Sequence, residues 1–172
     1  HLKNIVFPCL SQEKADGMYH EQLDEVFITR NGNVLDFSLV PEEHKMFIPK
    51  AKFMGEARLL NESGTAFIDR RAGNAIINKA QDSGLSQEEA NRVRFVYWDL
   101  DTSMNTSHTT KYLERFNLLD RRFGANIIDS RVVNNMEEAW AHYDEIRAKG
   151  GEGTILKNVN ALWRDGDSGD QI

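Results

Sequence analysis

The sequence predicts a mixed α+β fold that starts with antiparallel strands and continues into helices. Residues 25–37 indicate a hairpin, because two β-rich segments flank Asn31 and Gly32, a pair that strongly favours a tight turn. Apolar residues at helical spacing follow, most clearly in residues 136–149. Since the early strands are joined by short turns, we expect antiparallel sheets flanked by helices.

Further strand signals recur along the chain. Residues 5–10 form a short apolar run broken by Pro8, which predicts an edge strand or a lead-in because proline donates no ladder hydrogen bond. Residues 52–60 and 94–100 are rich in β-branched, aromatic and other apolar side chains, so both predict strands. Residues 154–157 follow a glycine-rich turn and predict a last strand.

Two helices are predicted in the middle of the chain. Residues 72–81 place Ala72, Ile76 and Ala80 on one face. Residues 86–89 read Ser-Gln-Glu-Glu, the signature of a capping box that opens a helix.

Two longer helices are predicted in the second half. Residues 111–123 carry an apolar face formed by Tyr112, Phe116 and Leu119. Residues 136–149 follow Asn135, a suitable N-cap, and end in a lysine before glycine. The apolar face of this second helix consists of Met136, Ala139, Trp140, Tyr143 and Ile146.

The composition is that of a globular protein of one domain, with 172 residues, 40% of them hydrophobic and 28% charged. No apolar run approaches the roughly 20 residues of a membrane-spanning helix. Cys9 is the only cysteine, which excludes an intrachain disulfide and a Cys-rich zinc site and favours a reducing cytoplasm. The net charge of −6 argues against nucleic-acid binding by the whole surface but leaves room for a local basic face.

The clearest chemistry lies in two short patterns. Residues 14–17 read Lys-x-Asp-Gly, and residues 152–157 read Glu-Gly-x-x-x-Lys. A lysine amine can attack the α-phosphate of a nucleotide and hold it covalently, while carboxylates suit a metal that neutralises the phosphate. A solvated turn lysine is the alternative interpretation of Lys14, and four residues alone do not decide between the two.

Five segments in a fixed order carry a family resemblance. They are residues 7–8 with 12–17, residues 29–33, residues 55–56, residues 95–99 and residues 152–158. Together they resemble the nucleotidyltransferase domain of ATP-dependent DNA ligases, and the T-even bacteriophage type most closely. Residues 132–135 and 158–163 are also similar to the phage enzymes.

The resemblance implies an ATP-grasp-like nucleotidyltransferase fold, shared by DNA ligases and mRNA capping enzymes. It implies that a lysine takes AMP from ATP, that AMP passes to the 5′-phosphate of a nick in double-stranded DNA, and that the 3′-hydroxyl then seals the strand. ATP and Mg²⁺ are the implied cofactors. A monomer in the cytoplasm, of the host cell if phage-encoded, acting in DNA replication, repair and recombination, is the implied setting.

The resemblance also implies a role for each motif residue. Lys14 would be the nucleophile. Glu56 and Glu152 would be magnesium ligands, although Glu56 would alternatively hold the ribose hydroxyls. Arg30 would contact a phosphate of AMP or of the nick, and Lys157 would contact the α-phosphate.

The remaining motif residues surround the nucleotide in this interpretation. Trp98 would stack on adenine, with a core tryptophan as the alternative. Gln12 would read the adenine amino edge, with a surface glutamine as the alternative. Glu13, Asp16 and Gly17 complete the nucleotide-binding motif, in which Asp16 is expected to orient the loop or the lysine and Gly17 to form the turn.

The sequence departs from the family pattern at three places. Tyr19 stands where the family often has arginine, and Met54 stands where it has aspartate before Gly-Glu. No lysine follows Lys157, so the Lys-x-Lys motif and the oligonucleotide-binding (OB-fold) domain that follow in the family are not present. We therefore expect residues 1–172 to be an adenylation domain incomplete at both ends, which does not seal nicks alone.

Two alternatives remain open at this stage. An RNA ligase or a capping-type enzyme would use the same lysine chemistry, and Tyr19 leaves room for it. A non-catalytic remnant that binds nucleotide or DNA would accommodate Met54 and the missing motif.

Overall fold

The computed structural model describes residues 2–101 and 110–163 of the chain. The chain forms two units, of which the first contains residues 1–15 and 101–172 and the second contains residues 16–100. The chain leaves the first unit directly after Ala15, so the Lys-x-Asp-Gly motif is divided between the units. Within the described ranges, no helix is both long enough and apolar enough to cross a bilayer.

The first unit contains a three-stranded antiparallel sheet with β1 (Cys9–Glu13) at its centre. β7 (Ser130–Val133) pairs with one edge of β1, and β8 (Thr154–Asn158) pairs with the other. Of the two predictions for residues 5–10, the edge strand is wrong and the lead-in is confirmed for the residues that precede Cys9. The strand begins only after Pro8, which has no N–H to donate, and both of its edges are then filled by strands from the other end of the sequence.

Two helices cover the two faces of this sheet. α4 (Met136–Ala148) contributes Ala139 to an apolar cluster with Cys9, and α3 (Tyr112–Phe123) contributes Tyr112 and Phe116 to a cluster with Leu10. Successive side chains of a strand point to opposite faces, so Cys9 and Leu10 enter different clusters. The first unit is thus a helix–sheet–helix sandwich around β1.

The two long helices begin and end close to the predicted residues. Asn135 caps α4 by accepting the N–H of Glu138, as predicted. The predicted apolar face of α4 is partly wrong, because Trp140 is 56% exposed and His142 is fully buried. His142 lies three residues after buried Ala139, whereas Trp140 lies only one residue after it and points about 100° away around the helix.

The second unit contains a five-stranded sheet in the order β4-β3-β2-β5-β6. Its strands are β2 (Met18–Leu23), β3 (Val26–Ile28), β4 (Val34–Leu35), β5 (Lys52–Leu59) and β6 (Val93–Asp101). The hairpin predicted around Asn31 and Gly32 joins β3 and β4. Gly32 has φ +83° and donates its N–H to the carbonyl of Thr29, which explains the glycine at this turn.

Two short helices follow β5 in the second unit, α1 (Arg70–Ile77) and α2 (Gln87–Asn91). The capping box predicted at residues 86–89 is present at the start of α2. The predicted buried face of α1 is wrong at Ala72, which is exposed, because the helix turns Gly73 and Ile77 inward instead. Both sets of residues have helical spacing, and the position of β5 decides between them.

The core of the second unit is aromatic and encloses a histidine. The His20 ring lies 5.5 Å from the ring of Phe27, 5.3 Å from that of Phe95 and 5.9 Å from that of Tyr97, measured between centroids. Burial disfavours the charged imidazolium and lowers the pKa of His20 to about 4. The folded protein therefore holds this side chain neutral.

We predict that His20→Leu flattens the dependence of stability on pH. A histidine with a lowered pKa contributes stability that is present above its ordinary value of 6.5 and is lost as the pH falls toward about 4. The variant lacks this loss. As the pH falls from 6.5 to about 4, its free energy of unfolding relative to wild type should therefore rise by on the order of 3 kcal/mol.

Urea unfolding of both proteins between pH 7 and 4 measures this difference, with His44→Gln as a control at a less buried histidine. Parallel stability curves for wild type and His20→Leu would contradict the prediction.

Candidate active site

Lys14 lies directly after β1 and is held from both sides of the strand. Its N–H donates to the carbonyl of Gly153 at 2.8 Å, and the N–H of Glu13 donates to the carbonyl of Asp129 at 2.8 Å. The Lys14 ammonium forms an ion pair with the carboxylate of Glu152, and the lysine side chain is 47% exposed. The fold thus brings together two predicted site residues that are 138 positions apart, with the amine accessible to a substrate.

A buried polar network lies next to this lysine on β1. The side-chain carbonyl oxygen of Gln12 accepts from the Lys157 ammonium at 2.7 Å, and its amide nitrogen donates to the hydroxyls of Tyr112 and Ser130, each at 3.1 Å. Gln12 is 1% exposed and Lys157 is 7% exposed. The ammonium also lies 5.0 Å from the centre of the Tyr112 ring. A neutral amide, a phenol hydroxyl and an aromatic ring are thus among the groups that contact the cation.

This network bears on the roles expected for Gln12 and Lys157. Both side chains are engaged with each other, so a phosphate contact by Lys157 or a base contact by Gln12 would add to or compete with a hydrogen bond that exists in this structure. Sequence reasoning missed Tyr112 and Ser130 as members. Tyr112 was predicted only as an apolar residue of α3, because helical spacing shows which face a side chain occupies and not where its hydroxyl points.

Arg115 supports the fold of the first unit. Its guanidinium is buried and donates to the carbonyls of Thr110 at 2.7 Å and Ala161 at 3.1 Å. It also lies 5.2 Å from the ring centre of Tyr112. The arginine therefore joins the start of α3 to the segment that follows β8.

In the second unit, a hydrogen bond joins the motif residues Gly17 and Glu56. The N–H of Gly17 donates to the Glu56 carboxylate, and the next residue, Met18, pairs with Ala57 of β5. A Cβ atom at Gly17 would lie 2.5 Å from the carbonyl oxygen of Ala57. Glycine is therefore required here by the close approach of two strands, in addition to any role in a turn.

Glu56 is a partly buried carboxylate with cations nearby. Burial raises its pKa above the ordinary value, while the Gly17 N–H and the charges of Arg58 and Arg70 act in the opposite direction. Arg70 also approaches Asp16, with 3.7 Å between Nε and a carboxylate oxygen. Met54 is fully buried, and the polar neighbours of Glu56 come from these other residues.

Arg30, Tyr19 and Trp98 form a row on the same face of the sheet as Glu56. Tyr19 pairs with Glu56 across β2 and β5, so their side chains share a face. The Arg30 guanidinium lies 5.0 Å over the Tyr19 ring, and the Trp98 ring centre lies 6.0 Å from that of Tyr19. Trp98 is only half-buried. Its neighbour Tyr97 points into the aromatic core, so alternation along β6 turns Trp98 away from that core.

The predicted site residues therefore fall into two sets, one in each unit. The first unit holds Gln12, Glu13, Lys14, Glu152 and Lys157. The second unit holds Asp16, Gly17, Arg30, Glu56 and Trp98. In the part of the chain that the structure describes, no group of three or more His, Cys, Asp or Glu side chains forms a metal-binding cluster.

Comparison with known proteins places the chain in a family. A family model described as ATP dependent DNA ligase domain matches residues 10–172. The DNA ligase of Enterobacteria phage T4 is 28% identical over 213 residues, in an alignment that covers 96% of this chain and 44% of the phage protein. The DNA ligase of Enterobacteria phage T6 has the same identity and coverage. The chain thus spans less than half the length of these relatives.

Solved structures share the fold. A Lig E DNA ligase has a TM-score of 0.70 at 20% identity, over 96% of this chain and 60% of that one. The Chlorella virus DNA ligase-adenylate has a TM-score of 0.64 at 15% identity, over 98% of this chain and 61% of that one. The bacteriophage T7 ligase in complex with ATP has a TM-score of 0.63 at 14% identity, over 95% and 60%. The predicted α+β nucleotidyltransferase fold is confirmed.

We predict that Gln12→Leu destabilises the protein and that Lys157→Met costs less in the Gln12→Leu background than in the wild type. The Gln12 change leaves a buried ammonium without the acceptor that lies 2.7 Å from it, which costs about 1.5–3 kcal/mol. The double change removes the buried charge together with this acceptor, so its cost should be smaller than the sum of the two single costs. Urea unfolding of wild type, both single variants and the double variant measures the coupling. Additive losses in the double variant would contradict this account.

We predict that Glu56→Gln stabilises the protein increasingly as the pH rises. A carboxyl whose pKa is raised on folding contributes stability below its ordinary value of 4.5 and loses it as the pH rises through the folded value. Glutamine still accepts the Gly17 N–H but does not ionise.

The measurement is the difference in free energy of unfolding between the variant and wild type from pH 4.5 to 8. A difference that stays flat, or that turns against the variant at high pH, would show that burial does not dominate at Glu56.

Proposed function

The chain belongs to the family of ATP-dependent DNA ligase domains, and we propose that Lys14 is the nucleophile that accepts AMP from ATP. The observation that carries the proposal is the accessible Lys14 amine beside Glu152, at the end of a strand whose main chain is held on both edges. The lysine nitrogen forms a bond to the α-phosphorus while the bond from that phosphorus to pyrophosphate breaks. The nitrogen loses its proton, and AMP remains on the lysine.

Glu152 has two consequences for this amine. Its carboxylate holds the Lys14 ammonium in position, and the ion pair engages the nitrogen that must attack. Attack requires a neutral amine with a free lone pair. The ion pair is therefore a resting arrangement that must open, with loss of a proton from Nζ, before the bond to phosphorus forms.

Mg²⁺ fits the carboxylates present. The ion prefers hard oxygen ligands and commonly uses one or two carboxylates together with phosphate oxygens and water. We propose Glu152 and Glu56 as its ligands, with ribose binding as the alternative for Glu56. A cation beside Glu56 would favour the ionised carboxylate, whose charge burial otherwise disfavours. When bound, the ion would neutralise charge on the phosphates.

The remaining site residues are proposed to surround the nucleotide. Trp98 supplies a half-buried ring for stacking on adenine, and Arg30, held over Tyr19, supplies a cation for a phosphate. Lys157 is proposed to contact the α-phosphate with a donor other than the one given to Gln12, and Gln12 is proposed to contact the adenine amino edge. Glu13 at the end of β1, together with Asp16 and Gly17 after it, completes the site in this proposal.

The later steps belong to the whole protein. We propose that residues 1–172 act as an adenylation domain with an OB-fold domain, and that AMP passes to the 5′-phosphate of a DNA nick before the 3′-hydroxyl seals it. A cytoplasmic monomer is part of the proposal. The family match favours a DNA ligase over an RNA ligase or a capping enzyme.

We predict that α-labelled ATP with Mg²⁺ labels the protein covalently and that Lys14→Ala abolishes the label. Lys14→Arg is the matched control, because arginine keeps a cation for Glu152 but offers no amine of lysine type. It should also remain unlabelled while retaining wild-type stability. The measurement is radioactivity on the denatured protein in a gel.

Wild-type protein that takes no label would overturn the proposal and favour a nucleotide-binding remnant. Label from GTP in place of ATP would favour a capping-type enzyme, and label from NAD would favour an NAD-dependent ligase.

A further inference from the structure

We infer that Ser11, His142 and Asp129 form a buried chain of contacts that positions the end of β1, and with it Lys14, for reaction. These three are positioning residues, since none of them would touch the nucleotide. The inference rests on the proposed function of Lys14.

Ser11 and His142 form a fully buried polar pair between β1 and α4. The Ser11 Oγ lies 2.7 Å from His142 Nδ1, and both residues are 0% exposed. On the other side of the ring, His142 Nε2 lies 3.4 Å from a carboxylate oxygen of Asp129. This separation is at the long end for a hydrogen bond, so we treat the second contact as electrostatic.

The environment of His142 assigns its proton. Burial and the nearby Arg131 charge lower the pKa of the ring, so the imidazole is neutral at neutral pH. A neutral ring has one N–H and one acceptor nitrogen, and the carboxylate of Asp129 can only accept. The proton therefore belongs on Nε2, and Nδ1 accepts from the Ser11 hydroxyl.

Asp129 connects this series of contacts back to β1. Its main-chain carbonyl accepts the N–H of Glu13, two residues after Ser11. Its carboxylate is also held by Lys149, at 3.6 Å, and Arg131, at 4.0 Å. β1 is thus attached at alternate residues, through the Ser11 side chain and the Glu13 main chain, to one anchored aspartate.

The attachment lies on the opposite face of β1 from the site network. Side chains alternate along the strand, so Ser11 faces α4 whereas Gln12 faces Tyr112 and Lys157. Lys14 follows this fixed segment by a single residue. Its position therefore depends on contacts made behind the strand, and a displacement of about 1 Å at a reacting atom can lower a rate by about 100-fold.

Two other interpretations of the contacts between Ser11, His142 and Asp129 fit less well. A Ser-His-Asp arrangement can serve as a nucleophilic triad, but a serine and a histidine without exposed surface cannot meet a substrate. A contribution to stability alone is also a poor account. The neighbouring cluster of Cys9 and Leu156 is apolar, and a buried polar pair adds little net stability over a well-packed apolar pair.

The test is single-turnover formation of lysyl-AMP in the intact protein, for wild type, Ser11→Ala, His142→Leu and the double variant. Each single variant should lower the maximal rate by about tenfold or more, while the ATP concentration at half-maximal rate changes by less than about threefold. The double variant should be no slower than the slower single variant, because the two side chains act as one unit.

Ile146→Val is the matched control. Ile146 is buried on the same helix as His142 but does not belong to the series of contacts from Ser11 to Asp129. It should lower thermal stability slightly and leave the maximal rate unchanged. Wild-type rates in Ser11→Ala and His142→Leu would overturn the inference. A loss of maximal rate that is proportional to the loss of thermal stability in all variants, Ile146→Val included, would also overturn it. Absence of label in the wild type would instead overturn the proposed function.

Discussion

The candidate site depends on β1 being hydrogen-bonded along both edges. β7 and β8 fill these edges, and at the end of the strand the N–H groups of Glu13 and Lys14 donate to the carbonyls of Asp129 and Gly153. A strand held on both sides has a fixed register, so the direction in which Lys14 leaves it is also fixed. The nucleophile near the start of the chain is therefore positioned by residues near its end.

Alternation along β1 separates two kinds of polar contact. One face carries the buried pair of Ser11 and His142, and the other carries Gln12 with its bond to Lys157. Both contacts are shielded from water. Because an unmade hydrogen bond is costly in the protein interior, both contacts fix the position of β1. Lys14 lies beyond the strand and is half-exposed. Rigid buried contacts and one accessible amine are the combination that covalent chemistry on a lysine requires.

Local sequence patterns predicted most elements of the fold. The hairpin at residues 31–32, the capping box at residues 86–89 and the two long helices are confirmed, because their signals depend on neighbours in the chain. The predictions were wrong where contacts with distant elements determine the outcome. Examples are the edge-strand alternative for residues 5–10 and the expectation that Trp140 belongs to the apolar face of α4. Helical or strand spacing identifies a repeating pattern but not which of two similar faces a distant sheet will cover.

The ordered motifs were enough to identify the family, since they name the lysine, the carboxylates and the basic residues of the proposed chemistry. The motifs do not reveal that Lys14 meets Glu152, that Lys157 is buried against Gln12, or that His142 lies behind the strand, and these contacts are seen in the folded chain. The difference arises from distance along the chain. These contacts join residues more than a hundred positions apart, and no local propensity encodes which distant side chains a fold will bring together.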